Sequence, residues 1–340
     1  MEPAFLITID TEGDNLWAAP TTITTENSRW IPRFQEYCQE FGFKPTYLTD
    51  YHMARCPIFS ELGRQWVRQN LAEIGCHLHP WNTPPIRPIT ANDDACGPYA
   101  TEYPPALVGE KVDFLTRLLE KTFETRIISH RAGRWGFDGA YAQALVEQHY
   151  VVDCSVTPGV SWQSSKGDPN GKGGPDYTTA PQEPYFLDFE DVCRPGTSSL
   201  LEIPVTIMPV SPPVVDQVRK LLPPRALVRR ALNRLLPSLT WLRPNGANGR
   251  QMRRLLHKAL EEGRGCVEFM LHSSELMPGG SPTFTNRASI ERLYRDLHAL
   301  FATAARSYRP ASVGEFALGH LAQHRKQGEA TNRMHRSGVE

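Results

Sequence analysis

The chain has no surplus of either charge: across 340 residues, 37 Lys and Arg face 37 Asp and Glu. That balance excludes a generic nucleic-acid binder, which carries net positive charge. No run of about 18 apolar residues occurs, so no membrane span is expected. The seven cysteines are odd in number and widely spaced, with no C-x-x-C pair. This leaves neither a disulfide framework nor a zinc ribbon, and the cysteines read as buried thiols in a reducing compartment. The N-terminus, MEPAFLITIDTEGD, has no basic region ahead of its apolar run, so it does not read as a signal peptide and a cytoplasmic location is expected. No G-x-S-x-G elbow surrounds Ser273 and Ser274, which argues against a serine hydrolase. GDPNGKGG has a Gly-Lys without a following Ser or Thr, which argues against a phosphate loop. No internal repeat is found. What is present, 40% hydrophobic and 22% charged residues, suffices for a packed core.

Short apolar runs ending abruptly in polar residues predict strands at 4–9, 45–48, 73–76, 126–129, 150–152, 200–205 and 266–271. Helical patterns fill the intervals at 30–41, 59–70, 105–123, 137–148, 251–263 and 289–305. Strands alternating with helices imply right-handed crossovers and a mainly parallel sheet. About seven mainly parallel strands fit an α/β fold closed into a barrel or a partly closed barrel better than a small open sheet. One catalytic domain is expected over 1–322, interrupted by a Gly/Pro/Ser-rich loop insertion at 157–184 and a basic helical insertion at 211–250. A polar, disordered tail is expected over 323–340.

The strand ends carry the chemistry. The first ends in Asp10-Thr11-Glu12, the third in His77-Leu78-His79, the fourth in His130-Arg131, the fifth in Asp153 and the last in His272. Parallel strands bring their carboxyl ends to one mouth, where barrel active sites are built. Asp10 and Glu12 are two residues apart, as are His77 and His79, so each pair points to one side of extended backbone. Two imidazoles and one carboxylate make the protein half of an open metal site, with the other carboxylate spare as general base. Arg131 is a natural partner for that base, and His272 a candidate general acid. His52 and His130 lack clear partners and read as structural.

TIDTEGD, EIGCHLHPW, SHRAGRWGFD, YVVDCSVTPG and FMLHSSEL, in this order, resemble the five motifs of the polysaccharide deacetylases (NodB homology, carbohydrate esterase family 4). The resemblance runs from residue 8 to about 276 and looks like the branch found with bacterial surface-polysaccharide and lipopolysaccharide biosynthesis. It implies a deacetylase-like fold, a distorted (β/α) barrel of about seven strands, and removal of an N-acyl, typically acetyl, group from an amino sugar, with a divalent metal, zinc being the expected ion. By position, Asp10 matches the catalytic base, Glu12 the carboxylate ligand and His77 the first metal histidine. Arg131 matches the arginine that orients the base, and His272 the histidine that protonates the leaving amine. Asp153 falls in the motif that supports this histidine. Two departures stand out. Trp81 occupies the usual place of the second metal histidine, leaving His79 as the candidate, and Glu12 replaces the commoner Asp. Trp81, Trp135, Asp153, Trp162 and Tyr177 are the candidate substrate-binding residues.

From residue 217 to 254 there are ten Lys and Arg and no acid, with Leu227, Val228, Ala231, Leu232, Leu235 and Leu236 at helical spacing. This basic amphipathic pattern suits either an insertion helix packed on the barrel or peripheral contact with an anionic membrane, the inner membrane in a bacterium. The resemblance implies an amino-sugar glycan or its precursor as the partner. Two other readings remain at this level: a metal-free glycosidase pairing Asp10 or Glu12 with Asp153 or Glu275, and a non-catalytic sugar-binding protein on a deacetylase scaffold.

Overall fold

In the computed structural model, which describes residues 2–211, 213–223, 228, 232 and 238–324, strand β1 (Ala4–Thr11) is buried along its whole length. A strand that is apolar on both faces belongs inside a covered parallel sheet. On one side of β1 lie β2 (Thr46–Thr49), β3 (Glu73–Leu78), β4 (Ser129–Ala132), β5 (Val152–Asp153) and β7 (Leu201–Glu202), each parallel to the last. On the other side β10 (Cys266–His272) runs parallel to β1 with Asp10 opposite His272. β6 (Tyr185–Phe186) adds an antiparallel edge to β7, giving eight strands in the order β10-β1-β2-β3-β4-β5-β7-β6. β11 (Arg309–Pro310) pairs with Ala4 and Phe5, next to where β2 joins Thr8–Thr11.

β8 (Ile207–Met208) and β9 (Thr240–Trp241) form an antiparallel ribbon. It leans on β10, with Thr206 N donating to Glu268 O at 3.4 Å and Met270 N to Leu242 O at 3.2 Å. The main sheet curls into a half-barrel, the form of a distorted (β/α) barrel. All seven expected strands are present. One is displaced: apolar residues 126–129 suggested a strand that observed β4 only begins to occupy at Ser129, because His130 and Arg131 are buried members of the strand and not its end. β6, β8, β9 and β11 are two residues long, too short to give a periodic signal.

The sheet is covered by α1 (Ile31–Glu40), α2 (Tyr51–Ala54), α3 (Pro57–Arg68), α4 (Asp93–Cys96), α5 (Pro105–Phe123), α6 (Gly139–Glu147), α7 (Pro213–Leu221), α8 (Gly249–Glu261) and α9 (Arg287–Ala304). Proline at the first helical position opens α3 and α5, where its missing N–H costs nothing. Asp138 caps α6 by accepting from Tyr141 N at 2.9 Å, and Asn286 caps α9 by accepting from Ser289 N at 3.0 Å. Gly63 lets α3 approach α5, since a Cβ there would stand 2.6 Å from the Phe123 ring.

The inside of the barrel is plugged at its amino end by Leu6, Val152, Cys154, Leu201 and Ile203 against Val313 and Phe316 from the helix at 313–324. This apolar floor leaves the carboxyl end of the sheet for the polar cluster. The loop at 157–184 holds no regular element beyond an isolated bridge between Ser161 and Asp176. The expected basic helix over Arg225, Arg229, Arg230 and Arg234 lies outside the described residues. Among the described residues no helix is long and apolar enough to cross a membrane.

Candidate metal and catalytic centre

Strand alternation places the centre. Register sets His77 opposite Arg131 and Asp10 opposite His272. Two residues further on, Glu12 and His79 continue the same faces of their strands. Glu12, His77 and His79, all buried, each offer a ligand atom, and these atoms lie within 4.8 Å of one another. His79 Nε2 is 2.8 Å from Glu12 Oε2, and His77 Nε2 is 3.4 Å from the same oxygen. His77 Nδ1 donates to the Arg131 backbone carbonyl at 2.9 Å, which turns Nε2 toward the carboxylates. Two imidazole nitrogens and one carboxylate oxygen, one imidazole fixed from behind, are a donor set that fits a divalent metal with an open coordination position.

Beneath the triad lies a charge network. Arg131 is wholly buried; its Nη1 donates to Asp10 Oδ1 at 2.6 Å and Thr8 Oγ1 at 2.9 Å, its Nε donates to Cys154 O at 2.8 Å, and its Nη2 pairs with Glu268. Burial pushes the Asp10 carboxyl up, but Arg131, then His77 and His272, outweigh it and hold it below the usual aspartate range. Burial likewise acts against ionised Glu12, yet His272, His77 and His79 together bring it well below the usual glutamate range. Burial lowers His79, leaving a neutral ring suited to a metal. For His77 the same burial is outweighed by Asp10 and Glu12, and its proton is held more tightly.

His272 completes the ring of groups, its Nε2 lying 3.6 Å from Asp10 Oδ2 and 3.7 Å from Glu12 Oε1. Behind it, Nδ1 is 3.3 Å from Glu275 Oε2 and 3.1 Å from Arg243 Nη2. Glu275 also accepts from His272 N at 3.0 Å. Burial opposes its charge, but Arg243 and His272 hold Glu275 below the glutamate range. These groups open onto a cavity of about 420 Å³ whose walls include Trp17, Trp81, Trp135 and Trp162. Trp135 and Trp162 stack with ring centroids 6.5 Å apart, and Trp17, 44% exposed, packs its edge on His272. Arg134 ties the wall together, pairing with Gly97 O and donating to Ser165 Oγ and Lys166 O at 3.1 Å each.

Of the residues singled out in sequence, the structure brings together Asp10, Glu12, His77, His79, Arg131 and His272, with Trp81, Trp135 and Trp162 around them. Asp153 and Tyr177 are corrected as substrate contacts, since both are 0% exposed and neither lines the cavity. Asp153 does not support His272 either. It accepts from His130 Nδ1 at 2.5 Å and from Ser155, on the opposite face of the sheet. His130, without a partner in the sequence reading, is thus paired, and its Nε2 accepts from the Tyr141 hydroxyl at 2.8 Å. Tyr177 stands behind the wall, its hydroxyl donating to Trp135 O at 2.6 Å.

Sequence reasoning missed Trp17, Arg134 and Glu268 and the part Arg243 plays, and weighed Glu275 only as a glycosidase carboxylate. Glu268 left a signal, as a lone acid inside the apolar run CVEFML. Arg243 was hidden among the ten basic residues of its segment.

Neither a protein-family model nor a curated protein matches the chain. Solved structures do. A candidate polysaccharide deacetylase from Mycobacterium smegmatis matches with TM-score 0.53 and 15% identity over 95% of this chain and 92% of that one. A candidate glycoside hydrolase or deacetylase from Parabacteroides distasonis matches with TM-score 0.59 and 11% identity over 93% and 71%. A 4-α-glucanotransferase from Thermococcus litoralis matches with TM-score 0.50 and 11% identity over 94% of this chain and 40% of its own. At these identities the likeness is one of fold alone: the chain shares its fold with structures described as a polysaccharide deacetylase, a glycoside hydrolase or deacetylase, and a glucanotransferase.

Proposed function

We propose that this protein is a metal-dependent hydrolase that removes an N-acyl group, typically acetyl, from an amino sugar of a bacterial surface glycan or of its precursor. The observation that carries this reading is the Glu12–His77–His79 triad, within 4.8 Å, beside a second carboxylate already committed to Arg131. A divalent cation held by the triad, zinc being the expected ion, supplies Lewis acidity that acidifies a water and polarises the amide carbonyl. The side chains do the remainder. Asp10 Oδ1 is taken by Arg131, so Oδ2 faces the cavity and accepts the proton of the attacking water. His272 Nε2, facing the same oxygen, hands a proton to the leaving amine, and its protonated form has the Glu275 carboxylate beside Nδ1. Trp81, Trp135 and Trp162 offer apolar ring surface to a sugar.

The fold shared with a glucanotransferase leaves room for glycoside chemistry, but neither carboxylate that would pair with Asp10 or Glu12 for it lines the mouth. Asp153 is enclosed on the other face, and Glu275 sits behind His272. The deciding experiment is acetate release from a panel of N-acetylated sugars, nucleotide sugars and oligosaccharides. Loss of activity with a chelator and its return with zinc support the reading. Activity in metal-free protein that ignores the chelator overturns it. We also propose a cytoplasmic, peripheral placement in which the segment 217–254 meets an anionic membrane. Exposed Val214, Val218 and Leu221 along α7 support this. Failure to co-sediment with anionic vesicles at low salt counts against it.

A further inference from the structure

Metal-ligating histidines normally give their second ring nitrogen to an acceptor, which fixes tautomer and orientation. His77 follows the rule through Arg131 O. His79 does not: its Nε2 faces Glu12, while its buried Nδ1 has no hydrogen-bond partner among the described residues. Packing must hold this ring instead. It lies against a residue with no side chain, for a Cβ on Gly133 would stand 2.4 Å from His79 Nδ1 and 2.8 Å from Cε1. Trp81 packs on the same imidazole with centroids 4.6 Å apart and planes at 53°, and the His77 ring meets it edge-on at 4.7 Å.

Resting on the site reading above, we propose that Gly133 and Trp81 are positioning residues that hold His79 as the second nitrogen donor, so that metal affinity is set at position 133, outside the ligands themselves. A methyl at 133 occupies the volume of the ring. The imidazole then has to rotate, and Nε2 leaves its place beside Glu12. Loss of Trp81 works from the other direction, removing a packed surface and admitting other rotamers.

The test is metal binding by the full-length protein, stripped with a chelator and titrated with Co²⁺ by visible absorption and with Zn²⁺ against a chromogenic chelator. Wild type is expected to take one equivalent. Gly133→Ala is expected to bind about 10- to 100-fold more weakly, the range for lost support around a ligand, with shifted Co²⁺ bands. Because the new methyl also approaches Leu78 O at 2.8 Å, this variant can misfold, and thermal unfolding of the metal-free protein detects that. Trp81→Ala adds no atom and is the second arm, expected to weaken binding roughly tenfold. A folded Gly133→Ala protein with wild-type affinity overturns the proposal. Where that variant fails to fold, a Trp81→Ala protein with wild-type affinity overturns it. A wild type that binds no metal, or binds it equally after His77→Ala, overturns the site reading instead.

Discussion

Two histidine–carboxylate clusters stand at the carboxyl ends of strands in the same sheet, one on β1, β3 and β10 and the other on β4, β5 and β7, and only the first opens onto a cavity. Asp10, Glu12, His77, His79 and His272 line the mouth, while His130, Asp153 and Glu202 are enclosed on the other face of the sheet. The register shows why. His77 stands opposite Arg131, but Cys76 stands opposite His130, His130 opposite Asp153, and Asp153 opposite Glu202. Neighbours along a strand point to opposite faces, so one residue of offset separates a candidate catalytic group from a packed one. The charge states diverge accordingly. At the mouth, Arg131 and the histidines hold Asp10 and Glu12 ionised. In the enclosed cluster, burial and then Asp153 push Glu202 well above the glutamate range, and burial keeps His130 neutral. Side chains of the same types are held charged at the open mouth, while burial holds Glu202 and His130 neutral in the enclosed cluster.

The sharpest way to break this comparison is to neutralise one carboxylate in each cluster. Asp10→Asn is expected to lower the acetate-release rate by about 10²- to 10⁴-fold, the range for a lost general base. Asp153→Asn is expected to leave that rate within a few-fold and to lower the melting temperature, since it weakens a buried hydrogen bond worth about 1–3 kcal/mol. Reversed results, with catalysis lost at Asp153 and kept at Asp10, would assign the two faces the wrong way round. Next in size is Arg131→Met, which leaves Asp10 and Glu268 buried without their cation. Breaking such a pair costs about 3–5 kcal/mol, measurable as a fall in the urea midpoint.

The same contrast explains what could be read from sequence. β1, β3 and β10 were legible because each joins a buried apolar run to charged residues at its carboxyl end, and Asp10-x-Glu12 and His77-x-His79 carry their own alternation. β5 is only two residues long, so nothing local told which way Asp153 faces, and assigning it to the mouth was the error that followed. Tyr177 belongs to a loop without periodicity, where an aromatic residue gives no hint of facing inward or outward. Glu275 and Arg243 reach His272 from a turn and from the ribbon after β9, and such convergence is set by tertiary packing.

The pH response gives a smaller test. Burial raises Glu268 to about 7, with Arg131 and Thr8 pulling it back only in part. Between the ordinary value of 4.5 and about 7, the unfolded chain has lost this proton and the folded one keeps it. Stability from this group is therefore complete below pH 4.5 and falls as pH rises across that window. Asp50, raised by burial to about 6, slopes the same way from 3.8. Glu268→Gln is expected to flatten the decline in denaturation midpoint up to pH 7 and to leave the Asp50 contribution. An unchanged slope would mean that Glu268 stays ionised against Arg131 throughout.

The smallest expected effects separate the cavity wall from what stands behind it. Trp162 lines the cavity, is stacked on Trp135, and donates through Nε1 to Thr157 Oγ1 at 2.9 Å. Tyr177 reaches the same wall from behind, through the Trp135 carbonyl. If the wall binds a sugar, Trp162→Ala should raise KM by up to about tenfold with kcat little changed, since an aromatic contact is worth about 0.5–1.5 kcal/mol. Tyr177→Phe should cost about 1 kcal/mol of stability through the lost hydrogen bond and leave KM alone. Steady-state kinetics beside thermal unfolding decides between them. A KM shift in Tyr177→Phe as large as in Trp162→Ala would show that the backbone of Trp135, held with φ at 63°, moves when its carbonyl is released, and that the wall is positioned from behind as the imidazole of His79 is.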